Sequence, residues 1–127
     1  MTVRQHVMST GASAAHAGAV VGGVYTQPVS GSSQTDATLM PLATHYYVTT
    51  SSSNQGCIIP PGNGSADAMQ PGDWSTIFNN TANTIKIYPP VGGAINAGSA
   101  NAAVSLTTHQ KALFWMCDAT NYALLVV

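Results

Sequence analysis

The sequence predicts an all-β domain, an antiparallel β-sandwich or small barrel, preceded by an extended N-terminal arm. Three observations carry that expectation. Glu is absent and Lys and Arg together number 3, so the usual exposed helix formers are nearly missing. Short apolar or aromatic runs recur between polar turn-forming stretches from Leu42 onward. Residues 1–40 have no period of 3.6 or 2 and interleave Gly, Ala and Ser with small apolar patches.

With 127 residues the chain suits one domain of 41–127 behind an arm of 1–40. The arm holds Thr10-Gly11-Ala12-Ser13-Ala14-Ala15-His16-Ala17-Gly18-Ala19 and the linker-like Ser30-Gly31-Ser32-Ser33-Gln34. Its apolar patches, Val3, Val7, Met8, Val20, Val21 and Tyr25, are too sparse for a core. They suit a segment lying along a neighbouring subunit, or else a solvated tail. The stretch from Ala12 to Val24 is broken by Ser13, His16, Gly18 and Gly22-Gly23, so no export signal is expected. Cys57 and Cys117, both in apolar contexts, are expected as free, buried thiols.

The body reads strand by strand. His45–Thr50 is aromatic and β-branched, and Ser51–Gly56 is its loop. Cys57–Ile59 is a short apolar strand stopped by Pro60-Pro61-Gly62. Trp74–Phe78 and Thr84–Tyr88 flank the Asn-rich connection 79–83, which suggests a hairpin with positive φ. Ala94-Ile95 and Ala103–Leu106 are brief strands. Lys111–Cys117 has apolar residues on both parities, as expected where core covers one side and a neighbour the other. Asp118–Asn121 turns the chain into the apolar strand Tyr122–Val127.

Charge excludes several functions. Formally charged residues make up 6% of the chain, against about 25% in ordinary domains. There is no basic stripe for nucleic acid and no polybasic patch or spanning segment for a membrane. The four His residues and two Cys show no ligand spacing, so no metal or other cofactor is expected. Asp67, Asp73 and Asp118 fall in loops and turns, which explains them without catalysis. No enzyme activity is expected. A surface this poor in charge suits burial against partners. Phe114, Trp115, Leu124 and Val126 are the candidate oligomer interface.

The text from Pro71 onward has a recurrent shape. Gly72-Asp73-Trp74-Ser75-Thr76-Ile77-Phe78-Asn79-Asn80 leads to Ala82-Asn83-Thr84-Ile85-Lys86-Ile87-Tyr88-Pro89-Pro90. Gly92-Gly93-Ala94-Ile95-Asn96-Ala97-Gly98, then Asn101–Leu106 and Ala112–Cys117 follow. This resembles small structural proteins of tailed bacteriophages, the head-decoration and head-fibre group. Tyr122 stands where many relatives carry Trp. The resemblance implies a homotrimer seated on the outer capsid surface of the virion, with the major capsid protein as partner and the arm as anchor. Such a protein cements the shell by bridging capsid subunits. The alternative is a host-receptor or glycan-binding domain of a phage head or tail fibre, using loops near Asn63 and Asn96 and the aromatic side chains.

Overall fold

A computed structural model describes residues 24–62 and 68–127, and among them every regular element is a β-strand. The strands are β1 (Val24–Thr26), β2 (Thr38–Leu39), β3 (His45–Val48), β4 (Gly56–Ile58), β5 (Trp74–Asn79), β6 (Ile85–Tyr88), β7 (Ala94–Ile95), β8 (Val104–Leu106), β9 (Lys111–Met116) and β10 (Asn121–Val126). They form a six-stranded sheet, β1-β3-β5-β9-β10-β7, and a four-stranded sheet, β2-β4-β6-β8.

The chain changes sheet after every strand from β1 to β8. From β1 to β6 each return to a sheet comes a full turn later and in the same direction, so β1–β3, β3–β5, β2–β4 and β4–β6 pair in parallel. β7–β10 is also parallel, with β8 and β9 between its members. Only β5–β9, β6–β8 and β9–β10 run antiparallel. The expected antiparallel sandwich is thus corrected to two sheets of mixed orientation. Parallel neighbours need a crossover, and here the opposite sheet supplies it.

The expected hairpin between β5 and β6 is corrected for the same reason. These strands lie in different sheets, and none of residues 79–83 has positive φ. The connection is a corner held from inside by Asn79, which is 0% exposed. Its Nδ2 donates toward Asn83 O at 2.8 Å, Leu106 O at 3.0 Å and Thr107 O at 3.0 Å. Its Oδ1 accepts from Thr81 N at 3.2 Å and from Thr81 Oγ1 at 2.7 Å. A buried amide costs free energy unless satisfied, and here both ends of it are.

Inward side chains of both sheets make one core. The six-stranded sheet contributes Tyr46, Val48, Ile77, Phe114, Met116, Tyr122 and Leu124, and the four-stranded sheet Cys57, Ile85, Ile87 and Leu106. Tyr46 and Phe114 stack with centroids 5.8 Å apart. The Tyr46 hydroxyl donates to Pro41 O at 2.6 Å and accepts from Ala43 N at 3.0 Å, so the ring is buried without an orphaned oxygen. Gly56 is required by proximity: a Cβ there would lie 2.7 Å from Lys86 O and from the Tyr88 ring.

The described part of the expected arm is integral to this body. Residues 24–40 supply β1 and β2, and Val29, Met40, Gln27 and Gln34 are buried. The body therefore starts no later than Val24, not at residue 41. Val3, Val7, Met8, Val20 and Val21 lie outside the described residues. Tyr25 sits in β1, 39% exposed.

Candidate interaction surface

The surface that stands out is the outer face of the six-stranded sheet. A strand sends alternate side chains to opposite faces. In β9, Ala112, Phe114 and Met116 are buried, so Lys111, Leu113 and Trp115 point outward. In β5, Ser75, Ile77 and Asn79 are buried, so Trp74, Thr76 and Phe78 point outward. Register then arranges these side chains in three rows. Trp74 is paired with Trp115, and Trp115 with Ala123. Val24, His45, Thr76, Leu113 and Leu125 form the middle row. Thr26, Tyr47, Phe78 and Lys111 form the third, with Val127 beside Lys111 through its N–H bond to Lys111 O at 2.7 Å.

The face is apolar and unusually open. Trp74 is 54% exposed, Leu125 57%, Val24 70% and Val127 79%. Two shallow hollows meet at Leu113. One is lined by Gly72, Trp74, Leu113 and Trp115. The other lies among Phe78, Lys111, Leu113 and Val127. Lone exposed apolar residues are ordinary, but a contiguous sheet of them marks a contact surface.

Lys111 is the face's one formally charged side chain. Its Nζ lies 4.6 Å from the centroid of the Phe78 ring, which already offers it a negative quadrupole. Phe78 in turn packs on Tyr47 with centroids 5.7 Å apart, and the Tyr47 hydroxyl accepts from Asn80 Nδ2 at 2.6 Å. His45 Nδ1 and Thr76 Oγ1 share a 2.6 Å hydrogen bond. Lys111, Tyr47, His45 and Thr76 thus each have a partner on or beside the face.

Asp36, Asp73 and Asp118 lie elsewhere and shape turns, while Asp67 lies outside the described residues. Asp118 Oδ1 accepts from Thr120 N at 2.9 Å and its Oδ2 from Asn121 Nδ2 at 2.9 Å, and these bonds hold its pKa below 3.8. Asp36 is held low in the same way, by Ser33 Oγ at 2.6 Å and Ser33 N at 2.7 Å. Asp73 Oδ2 accepts from Gln70 N at 2.8 Å. Among the described residues no group of three or more His, Cys, Asp or Glu gathers into a metal-binding cluster. Both cysteines are free. Cys57 is wholly buried, and desolvation pushes its thiol up to about 12, which makes it a poor nucleophile. Cys117 is exposed, contrary to expectation, because it stands just past β9 where the chain turns.

The four candidate interface residues part company. Trp115 lies on the outer face. Phe114 and Leu124 point into the core at 0% and 6% exposure, and Val126 packs against the core from the same side. The face's other members, Trp74, Phe78, Leu113 and Leu125, were signalled only by parity within their strands.

No family model, curated protein or solved structure matches this chain. The outer face must be interpreted from its own chemistry.

Proposed function

We propose that this chain is a structural virion protein. It decorates the outer surface of a tailed-phage capsid as an oligomer and cements contacts between major capsid subunits. One observation carries the reading: the outer face of the six-stranded sheet is a contiguous apolar surface whose single charge already sits over an aromatic ring. Such a face gains by being covered with protein and loses little, since almost no charge has to be stripped of water. The resemblance of the Pro71–Val127 text to head-decoration proteins supplies the shell, the trimeric state and the location.

The paired Trp74 and Trp115 favour a second reading, a glycan platform on a fibre. Sugar recognition combines stacking with hydrogen bonds to hydroxyls. The hollow between the tryptophans is lined by Gly72, Trp74, Leu113 and Trp115, and the side chains among them carry no acceptor. That chemistry favours an apolar protein contact over a sugar.

Labelling intact particles with an antibody to the folded body tests the proposal. Label over the head, with particles lacking the chain bursting at lower temperature, is the expected result. Unlabelled heads, or a glycan array bound at low micromolar concentration, would replace the cement reading.

A further inference from the structure

We infer that the outer face of the six-stranded sheet is covered by the same face of a second copy of this chain, related by a two-fold axis that lies in the face, along its middle row. The inference rests on the reading of this face as a protein-covered surface and names the protein.

Self-complementarity is the first argument. The cation and the tryptophans occupy opposite rows of the face: Lys111 is in one outer row, and Trp74 and Trp115 are in the other, with Thr76 and Leu113 between them. An axis along the middle row, perpendicular to the strands, maps each strand antiparallel onto itself. It sets Trp115 over the partner's Lys111 and Trp74 over the partner's Phe78. Leu113 and Leu125 then meet their own copies. Each ammonium gains a second aromatic face, and indole is the best of the rings for this. An axis parallel to the strands instead stacks each row on its own copy, so Lys111 never reaches an indole, and along β9 it opposes the two ammonium groups. The pairing of ammonium with indole therefore selects the first arrangement. Its strand directions fall within the aligned class of sheet-on-sheet packing.

Area is the second argument. Five strands at about 4.8 Å spacing, with rows spanning four residues at about 3.4 Å each, frame roughly 24 by 14 Å of backbone. With side chains the face offers on the order of 500 Å² per copy, so a pair buries about 1,000 Å², the lower end of specific interfaces. The pair is thus a reversible one. If the decorating unit is a trimer, this contact links two trimers and does not close one.

The full chain with Cys117→Ser removes the exposed native thiol, and single cysteines then report the geometry. Leu113→Cys and Leu125→Cys each lie on the axis and, with the facing sheets about 10 Å apart, are expected to give pairs linked by a short bismaleimide. Ser105→Cys, exposed on the other sheet, is expected to stay unlinked. In sedimentation equilibrium, Lys111→Glu and Trp115→Ala each weaken association about tenfold, and the double variant weakens it little further because both act on one contact. Circular dichroism melts confirm that each variant folds; Leu125, 57% exposed, tolerates exchange even if Leu113 does not. A wild type that stays monomeric to about 500 µM, well above typical weak-pair affinities, overturns the inference. So does an oligomer in which neither axial cysteine links. Label on phage heads from an unlinked protein sinks this inference and leaves the capsid reading standing; linked pairs absent from particles do the reverse.

Discussion

The side-chain amide of Asn96 takes both backbone groups of Leu124: Nδ2 donates to Leu124 O and Oδ1 accepts from Leu124 N, each at 2.8 Å. β7 stops at Ile95, and Asn96 continues its pairing with a side chain in place of a strand. The residue does this at φ 54, a region that Asn tolerates better than most. The far edge of the six-stranded sheet is therefore closed beside β10.

Asn96→Ala should destabilise the body by about 1–2 kcal/mol, since both Leu124 groups lose their partner at a half-buried edge. Asn96→Asp should cost more at neutral pH, because a carboxylate then faces Leu124 O without a donor. Urea unfolding checks both. An unchanged midpoint for Asp would mean that the amide is not what closes the edge.

Core and face should separate cleanly by mutation. Phe114→Ala should cost about 3–5 kcal/mol as a cavity opens against Tyr46. Trp74→Ser, on the exposed face, should move the melting midpoint little, within about 0.5 kcal/mol for the dilute chain. Thermal melts at low concentration measure this. Equal effects from the two would contradict the parity assigned to β5 and β9.

Truncation should show where the body begins. A chain starting at Val24 retains all the core residues named above. It should keep a cooperative melt. A chain starting at residue 41 loses β1, β2, Val29 and Met40, and should melt much lower or fail to fold. Comparable melts would return the boundary to residue 40.

Cys57 ties stability to alkaline pH. Its folded thiol is raised to about 12 from 9.0, so the unfolded chain ionises first. The stabilisation is fully present below pH 9.0 and is lost as pH rises toward 12. Cys57→Val should lessen the slope of that limb, measured by urea unfolding at a series of pH values, while burial of the Tyr46 hydroxyl, which also raises its pKa, keeps part of it. With a disulfide reagent at neutral pH, Cys117 should react in the native chain and Cys57 only on unfolding.

Strand positions were legible because the runs around Tyr46, Ile58, Ile77, Ile87 and Phe114 are apolar and end in Gly, Pro or Asn. Partner choice was not. Asn79-Asn80-Thr81-Ala82-Asn83 has hairpin composition, and only the burial of Asn79 under Leu106 and Thr107 reveals a corner between sheets. The outer face was half hidden because both parities of Lys111–Met116 are apolar; Ala112 faces inward while Trp115 faces outward. Val24–Thr26 offered only three residues after a glycine pair, too short to distinguish a strand from an arm.

The strict alternation between sheets bears on how the chain reaches this state. Only β9 and β10 are neighbours in both sequence and space, so they are the one pair that closes a small loop. Every other pairing waits for a strand of the opposite sheet to be laid down between its members. Loop closure must precede contact at each step, which raises contact order and slows folding toward the millisecond-to-second range. During synthesis, β1 to β8 emerge before the hairpin whose β9 flanks β5. The ribosome thus releases a chain whose unpaired strands are briefly exposed, and a near absence of charge gives them little mutual repulsion. Such a protein should refold best at low concentration.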